Sequence, residues 1–229
     1  MILFIAAGGA FEMTRQTQSP ASKITIGAND QVYYERAATP QNARALGLAL
    51  QGTGYFRGAG NSVLLSKHGA VTEVAFAVDD GAWSHPATIA AFEEIGRRVA
   101  AAIGGFPIQV QLADSRWSVH RSVAVGKVLS GSNDAVYYFG AATEEEAVAV
   151  ALALTDAGYL GRDAATVAIW KEDGAALGFV VGDGVADRPE AISGFVQLTR
   201  RIAPSVGGLP IRLRLLDAGM QSRKELLVE

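Results

Sequence analysis

The chain has 229 residues, of which 49% are hydrophobic and 19% charged, and its formal net charge is −3. A charged fraction below the about 25% of average globular proteins excludes a solvated, disordered chain, and the near-balanced charge leaves no electrostatic footprint for nucleic acid or a polybasic membrane surface. The absence of cysteine excludes a disulfide scaffold, thiolate metal sites and thiol catalysis.

Residues 1–11, MILFIAAGGAF, are apolar and precede Glu12, Arg15 and a polar QTQSPAS spacer. A membrane span takes about 17–25 residues and a secretory signal opens with a basic segment, so this run matches neither as it stands. It reads either as a short element packed on the folded part or as the distal half of a membrane anchor that begins upstream. The anchor is the preferred reading; the two readings correspond to a membrane-associated and a cytoplasmic protein.

Beyond it, a β-rich stretch over 31–34 follows an Asn-Asp turn signal. Thr39-Pro40 marks a helix start, an N-cap followed by a pre-set first turn, and Ala43, Leu46, Gly47 and Leu50 keep the i, i+3, i+4, i+7 spacing of one buried face. Gly54 sits where a left-handed C-cap is wanted. Two strands over 62–66 and 73–78 flank a turn, and Asp80-Gly81 closes the far end. A second helix is predicted from Ser84 and Pro86, with Ile89, Phe92, Ile95, Val99 and Ile103 inward, stopping at Gly104-Gly105. Strands over 108–112 and 119–125 complete the series.

The same series then begins again. Asn29, Tyr33, Thr39, Leu50, Gly54 and Lys67 recur as Asn133, Tyr137, Thr143, Leu154, Gly158 and Lys171; after a one-residue gap, Gly81, Phe92, Arg97 and Pro107 recur as Gly184, Phe195, Arg200 and Pro210. In the second series Thr143-x-x-Glu146 forms a capping box, the second helix is predicted to start from Asp187-x-x-Glu190 with Pro189, and Pro204 is expected to shorten or kink its end. Val123, Val125, Val128 and Leu129 make an extended joint with no Pro/Ser-rich linker, which predicts that the two series are held rigidly.

The order β-α-β-β-α-β is that of a ferredoxin-like sandwich. The expected fold is α+β: two tandem ferredoxin-like repeats about a pseudo-two-fold axis, each with an extra terminal strand, over 22–126 and 127–229, behind an N-terminal segment and spacer over 1–21. The run DxVYY, AAT, GY(F/L), DG and (I/V)GG resembles the repeat of uncharacterised bacterial tandem-repeat proteins. That resemblance implies a fold unit, a bacterial source and a preceding membrane anchor, and no reaction.

Little in the chain carries chemistry. Asp30 and Asp134, Asp80 and Asp183, and Asp114 and Asp217 are repeated carboxylates, each in or beside a turn where aspartate bonds local backbone. His68, His85 and His120 have no histidine counterparts and no metal-ligand spacing, no G-x-S-x-G elbow is present, and GTGYFRGAG over 52–60 ends a helix where a phosphate loop must begin one. Arg97 and Arg200 recur on the second helix. In Tyr33-Tyr34 and Tyr137-Tyr138 adjacent rings point to opposite strand faces, so one of each pair is core and the other faces a repeat interface or a partner. The candidate binding residues are therefore Tyr33, Tyr137, Arg97, Arg200, Asp80 and Asp183, with no catalytic residue, metal ligand or cofactor assigned. The expected function is a non-catalytic interaction or ligand-binding module for a protein or small molecule, able to be membrane-attached or homo-oligomeric. The alternatives are a hydrolase or isomerase with paired carboxylates in a cleft between the repeats, and an envelope protein that oligomerises through its sheet faces.

Overall fold

The computed structural model describes residues 22–229 except 70, 132, 162, 163 and 173; the apolar segment over 1–11 and its anchor reading lie outside the described residues. Strands β1 (Ser22–Ile26) and β2 (Asp30–Arg36) pair antiparallel, and helix α1 (Pro40–Thr53) crosses to β3 (Ser62–His68), parallel to β2. β3 returns as antiparallel β4 (Val71–Ala77), α2 (Pro86–Val99) crosses to the parallel β5 (Ile108–Ala113), and β6 (Val119–Ser130) follows antiparallel. The order then recurs as β7 (Asp134–Gly140), α3 (Glu144–Asp156), β8 (Thr166–Glu172), β9 (Gly174–Val180), α4 (Pro189–Ile202), β10 (Ile211–Leu216) and β11 (Ser222–Val228). All eleven strands form one mixed sheet in simple chain order.

This corrects the ferredoxin-like expectation. A ferredoxin-like unit interleaves its strands, so that each crossover passes over a strand of the other βαβ; here each helix joins immediate neighbours. The consequence is topological. α1 and α2 touch each other and share one core, so they lie on the same face, yet β2 and β4 run in opposite directions and both crossovers step the same way across the sheet. The two crossovers therefore have opposite hand, and one in each half departs from the right-handed rule that favours interleaving.

Local signals explain the elements. Thr39 and Asn42 make a reciprocal capping box at α1, as Thr143 and Glu146 do at α3, and Gly54 takes the left-handed C-cap with φ of 80°. The predicted starts of α2 and α4 are corrected: His85 and Arg188 are the N-caps and make no side-chain cap bond, because a 3₁₀ turn over Ala82–Ser84 or Val185–Asp187 delivers the chain directly to Pro86 or Pro189. Pro204 does not set α4 apart, since both α2 and α4 run 14 residues and end in a 3₁₀ turn.

β6 joins the halves. Its first part pairs with β5 and its second with β7, so the sheet passes through it without a break. Val125 and Phe139 stand opposite each other and enter the core beneath α1 and α2; Val128 and Val136 stand opposite and face the core beneath α3 and α4. The two helix pairs thus cover opposite faces of one sheet. Strand direction and covered face both invert from one half to the next, so the halves are related by a half-turn about an axis across the sheet plus a translation along it. This is a screw relation and corrects the expected closed pseudo-two-fold.

Candidate functional site

Because the sheet continues through β6 without a break, α2 is held by both halves. Its inner side packs on β5 and β6, where Gly96 approaches Val110 so closely that a Cβ would stand 2.5 Å from it. Its outer side meets the face of β7 and β8 that α3 and α4 leave uncovered: Phe139 and Ala168 belong to the first core, and Tyr137 and Trp170 pack against it. Glu93, one turn from both Ile89 and Gly96 on the buried side of α2, is only 4% exposed.

Where α2 diverges from the sheet, a groove of about 630 Å³ opens. Pro86, Ala87, Ala90 and Glu94 form the helix wall, Trp170, Ala176, Arg212 and Arg214 the sheet wall, and Met220 lines it from the β10–β11 loop, held at φ of 61°. The floor is built by register. Phe139, Trp170, Ala176 and Arg212 are successive cross-sheet neighbours, with the Phe139 and Trp170 rings stacked at 5.2 Å. Gly178 makes room for the indole, since a Cβ there would lie 2.7 Å from it. The Arg214 guanidinium sits 5.1 Å from the Trp170 ring, and its Nε donates to Glu225 at 2.8 Å.

The predicted site residues separate. Arg97 stacks over Tyr137 at 5.6 Å, and Phe106 meets the same ring edge-on at 5.7 Å, so these two candidates come together between the halves. Glu94 accepts two bonds from Arg97, which raises the Arg97 pKa and fixes the cation over the ring. Tyr33 and Arg200 do not meet: Tyr33 contacts Trp117 and Gln31, while exposed Arg200 donates to the carbonyl of Glu229. Asp80 and Asp183 are exposed in turns and line no part of the groove. Of the other carboxylates, Asp30 accepts from the backbone N–H groups of Gly58, Gly60 and Asn61, and Asp134 from those of Gly161 and Ala165, clasping the loop after each first helix.

Trp170, Arg212, Arg214 and Met220 were not among the predicted residues. The first series has Ser66, Gln109, Gln111 and Trp117 at those positions. The signal that would have found them is divergence between the series, since a groove built by one half against the other needs only one set of these side chains. Among the described residues no group of three or more His, Asp or Glu side chains is placed to hold a metal ion. No protein-family model, curated protein or solved structure matches the chain.

Proposed function

We propose that the protein is a non-catalytic binding module whose ligand lies in the groove between α2 and β8–β11. The observation that carries this reading is the Trp170 shelf, stacked on Phe139, relieved by Gly178 and overhung by Arg214. A flat apolar group fits the shelf, and a carboxylate meets the guanidinium N–H groups that Arg214 holds beyond the Nε given to Glu225. The ligand class is therefore an aromatic or planar carboxylate, free or at the end of a peptide. The internal sequence match and the recurring element order support reading the two halves as copies of one unit, with the groove a product of their divergence. The paired-carboxylate alternative draws no support, because Asp80 and Asp183 stand outside the groove.

Titration with aromatic carboxylates and short peptides ending in an aromatic residue, followed by backbone amide NMR shifts, tests this. Shifts confined to α2 and β8–β11 and abolished by Arg214→Ala are expected. Absence of any groove shift at ligand concentrations up to about 1 mM, the weak end of specific binding, overturns it.

A further inference from the structure

The screw relation between the halves leaves both ends of the molecule with faces that are engaged in its middle. At the middle, the outer side of α2 docks on the sheet of the second half through Arg97 over Tyr137 and Phe106 against the same ring. The sequence counterparts of these residues are Arg200, Tyr33 and Leu209. Arg200 and Leu209 lie at the α4 end, where Arg200 is exposed and Leu209 is 43% exposed. Tyr33 lies at the other end, on the face of β2 and β3 opposite α1 and α2. Among the described residues, α1 packs on β1 and β2 from the other face, while α2 packs on β5 and β6, α3 on β6 and β7, and the inner side of α4 on β10 and β11.

The Tyr33 end is prepared in the same way as the middle. Lys127 sits 5.4 Å over Tyr137, and its counterpart Lys23 sits 5.7 Å over Tyr33. Met220 of the β10–β11 loop packs into the α2 contact, and its counterpart Trp117, also at positive φ, stands against Tyr33. Among the described residues, what Tyr33 lacks relative to Tyr137 is the arginine and the apolar side chain that α4 carries at the far end. A face and its complement at opposite ends of one molecule, related by a screw, define a heterologous contact that propagates and does not close.

We propose that the chain associates head to tail with further copies of itself, the outer side of α4 of one copy docking on the Tyr33 face of the next, with Arg200 over Tyr33 and Leu209 against its edge. The counterpart surfaces are less apolar than the internal one and carry fewer charges: Glu35, Ser66 and Ser193 replace Phe139, Trp170 and Ala90, while Gln109, Gln111 and Gln197 replace Arg212, Arg214 and Glu94. The association is accordingly concentration-dependent, in the range of transient interfaces.

Sedimentation velocity of the full chain at rising concentration reads this directly. Oligomers growing in steps of 23.9 kDa are expected. The double variant Arg200→Glu, Leu209→Asp and the variant Tyr33→Lys each remain monomeric, with circular dichroism unchanged because the altered side chains are outside the core. An equimolar mixture of the two variants regains one intact contact and forms a dimer of twice the chain mass. Three results each overturn the proposal: a wild type monomeric up to about 1 mM, variants that associate like the wild type, or a mixture that stays monomeric.

Discussion

Tyr55 and Tyr159 show how single side chains couple the fold to solution conditions. Each follows the first helix of its half, and each ring packs on phenylalanines: Tyr55 on Phe56, Phe76 and Phe92, and Tyr159 on Phe179 and Phe195. Burial, and after it the nearby Asp30 or Asp134, pushes both phenols from 10.0 up to about 12. The folded state therefore binds these protons more tightly than the unfolded chain does. The stabilisation is fully present below pH 10 and is lost as pH rises towards about 12. Alkaline unfolding followed by circular dichroism should set in within that window, and the Tyr55→Phe, Tyr159→Phe double variant should shift its onset to higher pH; an unmoved onset would refute the assignment. Asp114 and Asp217 act at the opposite limit. Backbone N–H groups of Ser118 and Arg116, or Gln221 and Gly219, hold their pKa below 3.8, and His120 or Arg223 adds to the effect. Their contribution is present above pH 3.8 and lost on acidification below it.

At the scale of elements, β6 carries the joint, and one residue decides its geometry. Gly126 pairs with Tyr138, whose ring lies across it, and a Cβ at Gly126 would stand 1.9 Å from Tyr138 Cζ. Tyr138 is only 5% exposed and cannot swing away without opening the second core. Gly126→Ala should cost about 2 kcal/mol or more, in the range of overpacked cores, measured by urea denaturation. A loss within about 0.5 kcal/mol, as at an ordinary surface position, would show that the strand yields easily. The helices were legible at this scale: cap residues and periodic apolar positions are contiguous in sequence, so Thr39, Thr143 and the Ala43–Leu50 stripe could be recognised directly, whereas the part Asn42 plays in the first capping box was not. The starts of α2 and α4 were not, because the 3₁₀ turn before each proline does the work a cap residue does elsewhere.

For the whole molecule, the continuous sheet and the two-sided packing of α2 bind the halves into one folding unit. Phe139 and Ala168, from the second half, are buried in the core of the first, and β6 contributes to both. Separate unfolding would expose the Tyr137, Phe139 and Trp170 surface to water, an apolar loss that neither half recovers alone. Urea unfolding should therefore be a single transition. Single-tryptophan variants retaining Trp83 or Trp170 should report coincident midpoints, and resolved midpoints would contradict the shared core.

The sequence by itself determined what local and periodic signals encode: the internal match, the order of strands and helices from β2 onward, the Thr39 cap and the Thr143–Glu146 capping box, the extended joint, and the roles of Asp114 and Asp217 as turn residues; β1 (Ser22–Ile26) was not read from it. It also marked Arg97 and Tyr137 as residues worth locating, though not that they touch. Tertiary structure decided the strand order, the opposite faces taken by the two helix pairs and the groove. Element order is compatible with interleaved or sequential strands, and the choice depends on which arrangement buries the most apolar surface once helices and sheet pack together. The groove was hidden for a related reason: Trp170, Arg212 and Arg214 belong to one half only, and their meaning appears when α2 of the other half is laid against them.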